Sequence, residues 1–142
     1  LSLVGTLYNV PGKVLDERIM AFAKRFEFEE HLYKKLSTCS LGTKKQVTFS
    51  ACIIHGPKVV ILDEPFVGLD PKAAVVTKNL MRELCERGGA VFFSTHVLDV
   101  AEKLCNKAAI IRQGQLIAAG TMEELTKNGS LESVFMEVTK DE

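Results

Sequence analysis

The chain has 142 residues, and 18 lysines and arginines balance 18 aspartates and glutamates, so with three neutral histidines the formal charge at neutral pH is zero. Hydrophobic residues at 46% and charged residues at 25% are globular proportions, which exclude a disordered or collagen-like chain, and the length suits one domain or part of one. The charge balance removes the simplest argument for nucleic acid or an anionic membrane as a partner.

No apolar run approaches the ~20 residues that span a bilayer, and no signal-peptide pattern opens the chain. Cys39, Cys52, Cys85 and Cys105 lie far apart with no CxxC, which reads as reduced thiols rather than disulfides or zinc ligands. Leu3, Val4, Leu7 and Tyr8 recur at helical spacing until Pro11-Gly12 breaks the run. Leu15, Ile19, Phe22 and Phe26 mark one face of a second helix, with Asp16 and Glu17 expected in its first turn, where the helix dipole favours acids. Residues 37–40 are a polar break. Val47, Ala51 and Ile54 then stripe a third helix that Gly56-Pro57 closes.

Val59-Val60-Ile61-Leu62 is a continuous branched apolar run, the pattern of a strand buried on both faces. A helix is expected from Pro71 to about Arg87, with Ala73, Val76, Leu80 and Leu84 inward and Gly88-Gly89 as its stop. Residues 90–94 repeat the buried-strand pattern, and Leu98, Ala101 and Cys105 mark a further helix. Residues 108–112 and 115–119 read as two strands around a Gln113-Gly114 turn. Thr121 and Glu124 fit a capping box, and Ser130 fits a cap for a last helix carrying Leu131, Val134, Phe135 and Val138 on one face.

Alternating strand and helix predicts an α/β fold with right-handed crossovers and a mainly parallel sheet, in which ligands sit at the carboxyl ends of strands. Those ends carry Asp63-Glu64 and Thr95-His96. Two adjacent acids at a strand end suit divided work, one holding a metal and the other orienting a nucleophile, and magnesium asks for only one or two carboxylates beside phosphate oxygens and water. Acids that merely end a strand and cap the next turn fit the same residues. The topology puts His96 near the acids, although a lone histidine is more commonly packed or solvated; His31 and His55 have no comparable setting. Ser40-Leu41-Gly42 precedes a helix whose first turn holds Lys44 and Lys45. A hydroxyl, free backbone N–H groups and a glycine that permits close approach make an anion site, but an ordinary Ser N-cap also explains Ser40. Asp70 before Pro71 is likewise a natural N-cap.

Taken together, these pieces resemble the second half of an ATP-binding-cassette (ABC) ATPase, the nucleotide-binding domain of ABC transporters. Val59-Val60-Ile61-Leu62-Asp63-Glu64-Pro65 resembles the Walker B motif, Gly68-Leu69-Asp70-Pro71 the D-loop and Ser94-Thr95-His96 the switch histidine. Cys39-Ser40-Leu41-Gly42-Thr43-Lys44-Lys45-Gln46 stands where the LSGGQ signature belongs, with Ser40 23 positions before Asp63, the family's usual spacing. The signature departs from the common form at Leu41 and Thr43. Similar Ser-Leu-Gly forms, and a tail like residues 130–139, occur in bacterial antibiotic- and bacitracin-type exporters. The chain contains no GxxxxGK[ST] and opens on Leu1. The resemblance therefore implies the C-terminal part of a P-loop NTPase domain. Residues 1–56 would be part of the helical signature subdomain, 57–120 the Walker B, D-loop and switch-histidine half of the catalytic core, and 121–142 C-terminal helices.

The same resemblance implies an ATP-hydrolysing parent that drives a transporter, by subgroup an exporter, from the cytoplasmic face of the membrane, with ATP and Mg2+. Asp63 would hold the metal shell, Glu64 would polarise the attacking water and His96 would contact the γ-phosphate. Ser40 and Gly42 would close over the nucleotide of a second nucleotide-binding domain in a head-to-tail dimer, and Asp70 would link the two sites. The implied partners are that second domain and a membrane permease, with no nucleic acid. A soluble cassette ATPase acting on ribosomes or DNA, and a non-catalytic regulatory cassette, are the alternatives. Without a P-loop the chain alone is expected to be inactive, and to self-associate through an uncovered apolar sheet.

Overall fold

Residues Leu1–Ser94 build one unit and the residues from Thr95 onward a second, in a computed structural model that describes residues 1–139. Helix α1 (Ser2–Leu7) is followed by α2 (Gly12–Phe26), with Pro11 as the N-cap of the latter. Because α2 starts at Gly12, Asp16 and Glu17 fall in its second turn, and its first turn carries no acid. The two helices meet where Gly5 is buried against Leu15. A Cβ at Gly5 would stand 2.2 Å from Leu15 Cδ1, so a side chain there would displace the buried Leu15 side chain. Phe26 stacks on Phe28 and meets Phe49 of α3 (Leu41–Ile53) edge-on, both at 6.3 Å between ring centroids.

The buried face of α3 is Gln46, Phe49 and Ser50, continued by Ile54, while Val47 and Ala51 are only half-buried. The expected Val47–Ala51–Ile54 stripe is therefore rotated, and its reason is polar: Ser50 donates its hydroxyl to the Gln46 carbonyl at 2.8 Å and enters the core with that donor satisfied.

Strand β1 (Val59–Asp63) pairs in parallel with β2 (Ala90–Ser94), from Val59 opposite Ala90 to Asp63 opposite Ser94. The crossover between them is α4 (Pro71–Glu86). Its buried side is Ala73, Thr77, Leu80 and Met81, with Val76 and Leu84 half-buried. Val60, Leu62 and Val91 share a small apolar gap with Phe49 of α3 and with Leu80 and Met81 of α4. The other face of the sheet is open: Val59, Ile61 and Phe92 are 60%, 74% and 65% exposed. The strands were expected to be buried on both faces, and among the described residues only one face is covered. Side chains alternate along a strand, and α3 and α4 pack on the Val60–Leu62 side alone.

Arg25 of α2 grips Glu83 of α4 at two points, Nη1 to Oε2 at 2.9 Å and Nη2 to Oε1 at 2.5 Å. The hydrogen bond from Arg25, reinforced by the charges of Arg25 and Arg87, holds the Glu83 carboxyl below the usual carboxylate range. A depressed carboxylate contributes stability above its unfolded pKa, and that stability is lost as pH falls through its folded pKa. Denaturation of the native chain and of Glu83→Gln should therefore differ at about pH 7 and converge as the pH drops below about 4. An equal difference at about pH 2 would mean that Glu83 acts through packing instead.

The second unit comprises α5 (Leu98–Leu104), β3 (Lys107–Arg112), β4 (Gln115–Thr121), α6 (Met122–Leu125) and α7 (Leu131–Thr139). Cys105 lies one residue beyond α5, as its C-cap. The alternation of strand and helix does not extend the parallel sheet: β3 pairs antiparallel with β4 instead. Gln113 and Gly114 both adopt positive φ, 50° and 77°, which makes the tight hairpin turn that delivers β4 alongside β3. The capping box is present, with Glu124 N–H donating to Thr121 Oγ1 at 3.2 Å and Thr121 N–H to Glu124 Oε2 at 2.8 Å. Ser130 accepts from Ser133 N–H at 3.2 Å, and Leu131 N–H donates to Glu102 Oε2 of α5 at 2.7 Å. Among the described residues no helix is long and apolar enough to cross a membrane.

Candidate functional site at the carboxyl ends of the strands

β1 and β2 are both five residues long and pair in register, so their last residues, Asp63 and Ser94, stand side by side. The Ser94 hydroxyl donates to Asp63 Oδ1. Glu64 N–H reaches back to the Ser94 carbonyl at 3.2 Å and to its hydroxyl oxygen at 3.3 Å. The pairing thus runs one residue past the strand, and Glu64 then takes φ 45°, a left-handed value uncommon for a residue with a Cβ. Val67 N–H closes on the Glu64 carbonyl at 3.3 Å, completing a tight turn. Asp63 is exposed and Glu64 half-buried. One serine therefore holds both acids, Asp63 by its side chain and Glu64 by its backbone. Sequence reasoning assigned Ser94 no role of its own; the equal lengths of the two apolar runs were the signal that would have set it opposite Asp63.

The second cluster lies where α3 begins. Ser40 is its N-cap, with Oγ accepting from Thr43 N–H at 3.1 Å and lying 2.9 Å from Thr43 Oγ1. Gly42 faces the loop of residues 66–70, and a Cβ built on it would lie 3.6 Å from the Gly68 carbonyl oxygen. Lys45 donates its ammonium to the Val67 carbonyl in that loop. The loop ends at Asp70, which accepts from Ala73 N–H at 2.9 Å and caps α4, with Pro71 in the first turn. Phe66 anchors its start: its ring meets Phe93 edge-on at 5.7 Å, and Lys78 Nζ stands 5.5 Å from its centroid. Ser40, Gly42 and Asp70 are thus gathered around one loop in the first unit.

His96 lies in the second unit and is exposed. It occupies the middle of a short turn in which Val97 N–H donates to Thr95 Oγ1 at 3.1 Å. Among the described residues no group of three or more His, Cys, Asp or Glu is gathered to hold a metal. Asp63, an exposed carboxylate beside a hydroxyl, still suits magnesium, which takes one or two carboxylates and completes its shell with phosphate and water. Burial pushes the thiols of Cys52 and Cys105 up, away from the reactive thiolate.

Along its whole length, in 147 aligned positions, the chain is 31% identical to the ABC-type transporter ATP-binding protein EcsA of Bacillus subtilis and covers 60% of it. It superposes on a solved ATP-binding subunit of an ABC transporter with a TM-score of 0.92 and 28% identity, over 97% of this chain and 60% of that one. It also superposes on cbiO1 from Clostridium perfringens, part of the ABC transporter complex cbiONQ, with a TM-score of 0.64 and 27% identity, over 92% of this chain and 51% of that one. No protein-family model matches. The chain therefore spans about half to three-fifths of the length of these proteins, and its fold is that of part of an ABC ATPase domain.

Proposed function

We propose that the chain is the signature, Walker B and switch-histidine part of an ABC transporter ATP-binding subunit, whose whole hydrolyses ATP to drive transport. The observation that carries this reading is the Asp63–Ser94–Glu64 network, two acids fixed by one serine at the carboxyl ends of paired parallel strands. Asp63 would hold magnesium, which when bound neutralises phosphate charge. Glu64 orients the attacking water and accepts its proton, and His96 donates to the γ-phosphate. Positioning and charge stabilisation dominate such phosphoryl transfer.

Ser40 and Gly42 serve a second site, on the nucleotide held by a partner subunit, and Asp70 lies at the seam between the two. Capping and this role are compatible. The Ser40 oxygen accepts from Thr43 N–H, and its proton can turn to Thr43 Oγ1 or to an anion, because either oxygen can donate in that pair. Gly42 N–H adds to the free N–H groups at the start of α3. The further partner is a permease, which would hold the subunit at the cytoplasmic face of the membrane. The Ser-Leu-Gly signature form and the tail at residues 130–139 favour an exporter of the bacterial antibiotic or bacitracin type.

The role in trans gives the test. In the complete subunit Ser40→Arg should bind ATP normally and fail to hydrolyse it, while its mixture with a P-loop variant should recover turnover from one composite site. A mixture as inactive as either variant, or a Ser40→Arg subunit that cannot bind ATP, would show that Ser40 does not act across the dimer.

A further inference from the structure

We propose that Lys45 is a positioning residue that ties the turn carrying Ser40 and Gly42 to the turn carrying Glu64, through the single peptide unit pair of Val67. The inference rests on the ATPase reading above for its effect on turnover, and on the structure alone for the tie. Val67 faces both ways: its N–H donates to the Glu64 carbonyl at 3.3 Å, and its own carbonyl accepts the Lys45 ammonium. Lys45 therefore stands one residue away from the backbone of Glu64, across a sequence separation of 22 residues. An ammonium donor makes this a charge-assisted bond, stronger than a neutral one.

The neighbouring contacts make the tie specific. The stem of Lys45 lies along Gly68, where an added Cβ would stand 3.8 Å from both Cδ and Cε, and 3.7 Å from Leu41 Cδ2. Gly68 takes φ 77°, a conformation that glycine enters without strain and that a residue with a Cβ adopts only under strain. Leu69 N–H closes on the Phe66 carbonyl at 3.2 Å, so residues 64–69 form two overlapping tight turns, 64–67 and 66–69, and Lys45 clamps the Val67 carbonyl within the second. Glu64 itself holds a left-handed φ of 45°, a conformation that persists only where its surroundings fix it. Ser94 fixes it on the strand side and Val67 on the loop side. Lys45 makes the second of these supports depend on the position of the signature turn.

The test uses the complete ATP-binding subunit in native, Lys45→Met and Lys45→Arg forms, with two readouts. Hydrogen exchange at the Val67 and Leu69 amides should accelerate by about tenfold in Lys45→Met and return toward native in Lys45→Arg. The kcat for ATP should fall by roughly three- to tenfold in Lys45→Met with KM changed less than about twofold, because positioning of Glu64 is felt in the chemical step and not in ground-state binding. Gly68→Ala disturbs the same seam from the loop side and should reproduce the pattern if Lys45→Met folds poorly. Unchanged exchange would disprove the tie whatever the kinetics. Faster exchange with unaltered kcat would disprove the positioning role and leave only a structural one. Native subunit without any ATP turnover would overturn the functional reading itself, and with it the positioning role, while the exchange data would still decide the tie.

Discussion

Glu64→Gln in the complete subunit is expected to leave ATP binding intact and to lower turnover by on the order of 10²-fold or more, the scale of losing a water-orienting base. The substitution is close to isosteric, and the backbone of residue 64 is held from its N–H to Ser94 and from its carbonyl to Val67. Those backbone contacts should survive the substitution, while the carboxylate that accepts the proton is lost. An ATP-loaded dimer should accumulate, because closure no longer leads to hydrolysis. Phosphate release in single and multiple turnover, with gel filtration in ATP, measures both effects. Retention of more than about a tenth of native turnover would mean that Glu64 is not the base. Its φ of 45° would then be a turn geometry and nothing more.

What could be read from the sequence was mostly local. Ser40, Asp70, Thr121 with Glu124, and Ser130 all act on a backbone N–H three residues on or back, so the spacing of residue types is enough to find them. The Gln113-Gly114 hairpin is equally local, since both residues must take positive φ. The face of α3 was misjudged because an apolar count cannot see that Ser50 brings its own acceptor into the core. The link from Lys45 to Val67 left no trace at all in the sequence, because nothing in a loop glycine announces which lysine will lie across it. The acids Asp63 and Glu64 were legible as a pair at a strand end, whereas the hydroxyl that holds them needed the register of β1 against β2. The burial of both sheet faces failed as an expectation for a different reason. An apolar run reports that a strand is built to be covered, and says nothing of which residues do the covering.

That uncovered face leads to the second large effect. Parallel strands are built for burial on both sides, and a two-stranded sheet is marginal by itself. In this chain Ile61 stands opposite Phe92 across the parallel pair, with Val59 two residues from Ile61 on the same face, and all three are more than half exposed. Both outer edges of the pair are also without a neighbouring strand among the described residues. A second copy of the chain offers an identical patch and identical edges. The 142-residue chain expressed alone is therefore expected to self-associate at micromolar concentration and to bind an apolar dye. Charge on the face should oppose this. Ile61→Lys with Phe92→Lys removes at least ~60 Å² of apolar contact, which at ~25 cal/mol per Å² weakens association by about tenfold or more, before any repulsion between copies. Sedimentation velocity over a concentration series, with far-UV circular dichroism to show that the double variant keeps its helices, reads the shift directly. A native chain that sediments as a monomer and leaves the dye unbound would mean that the open face is stable in water. A double variant that associates as tightly as the native chain would place the contact elsewhere on the molecule.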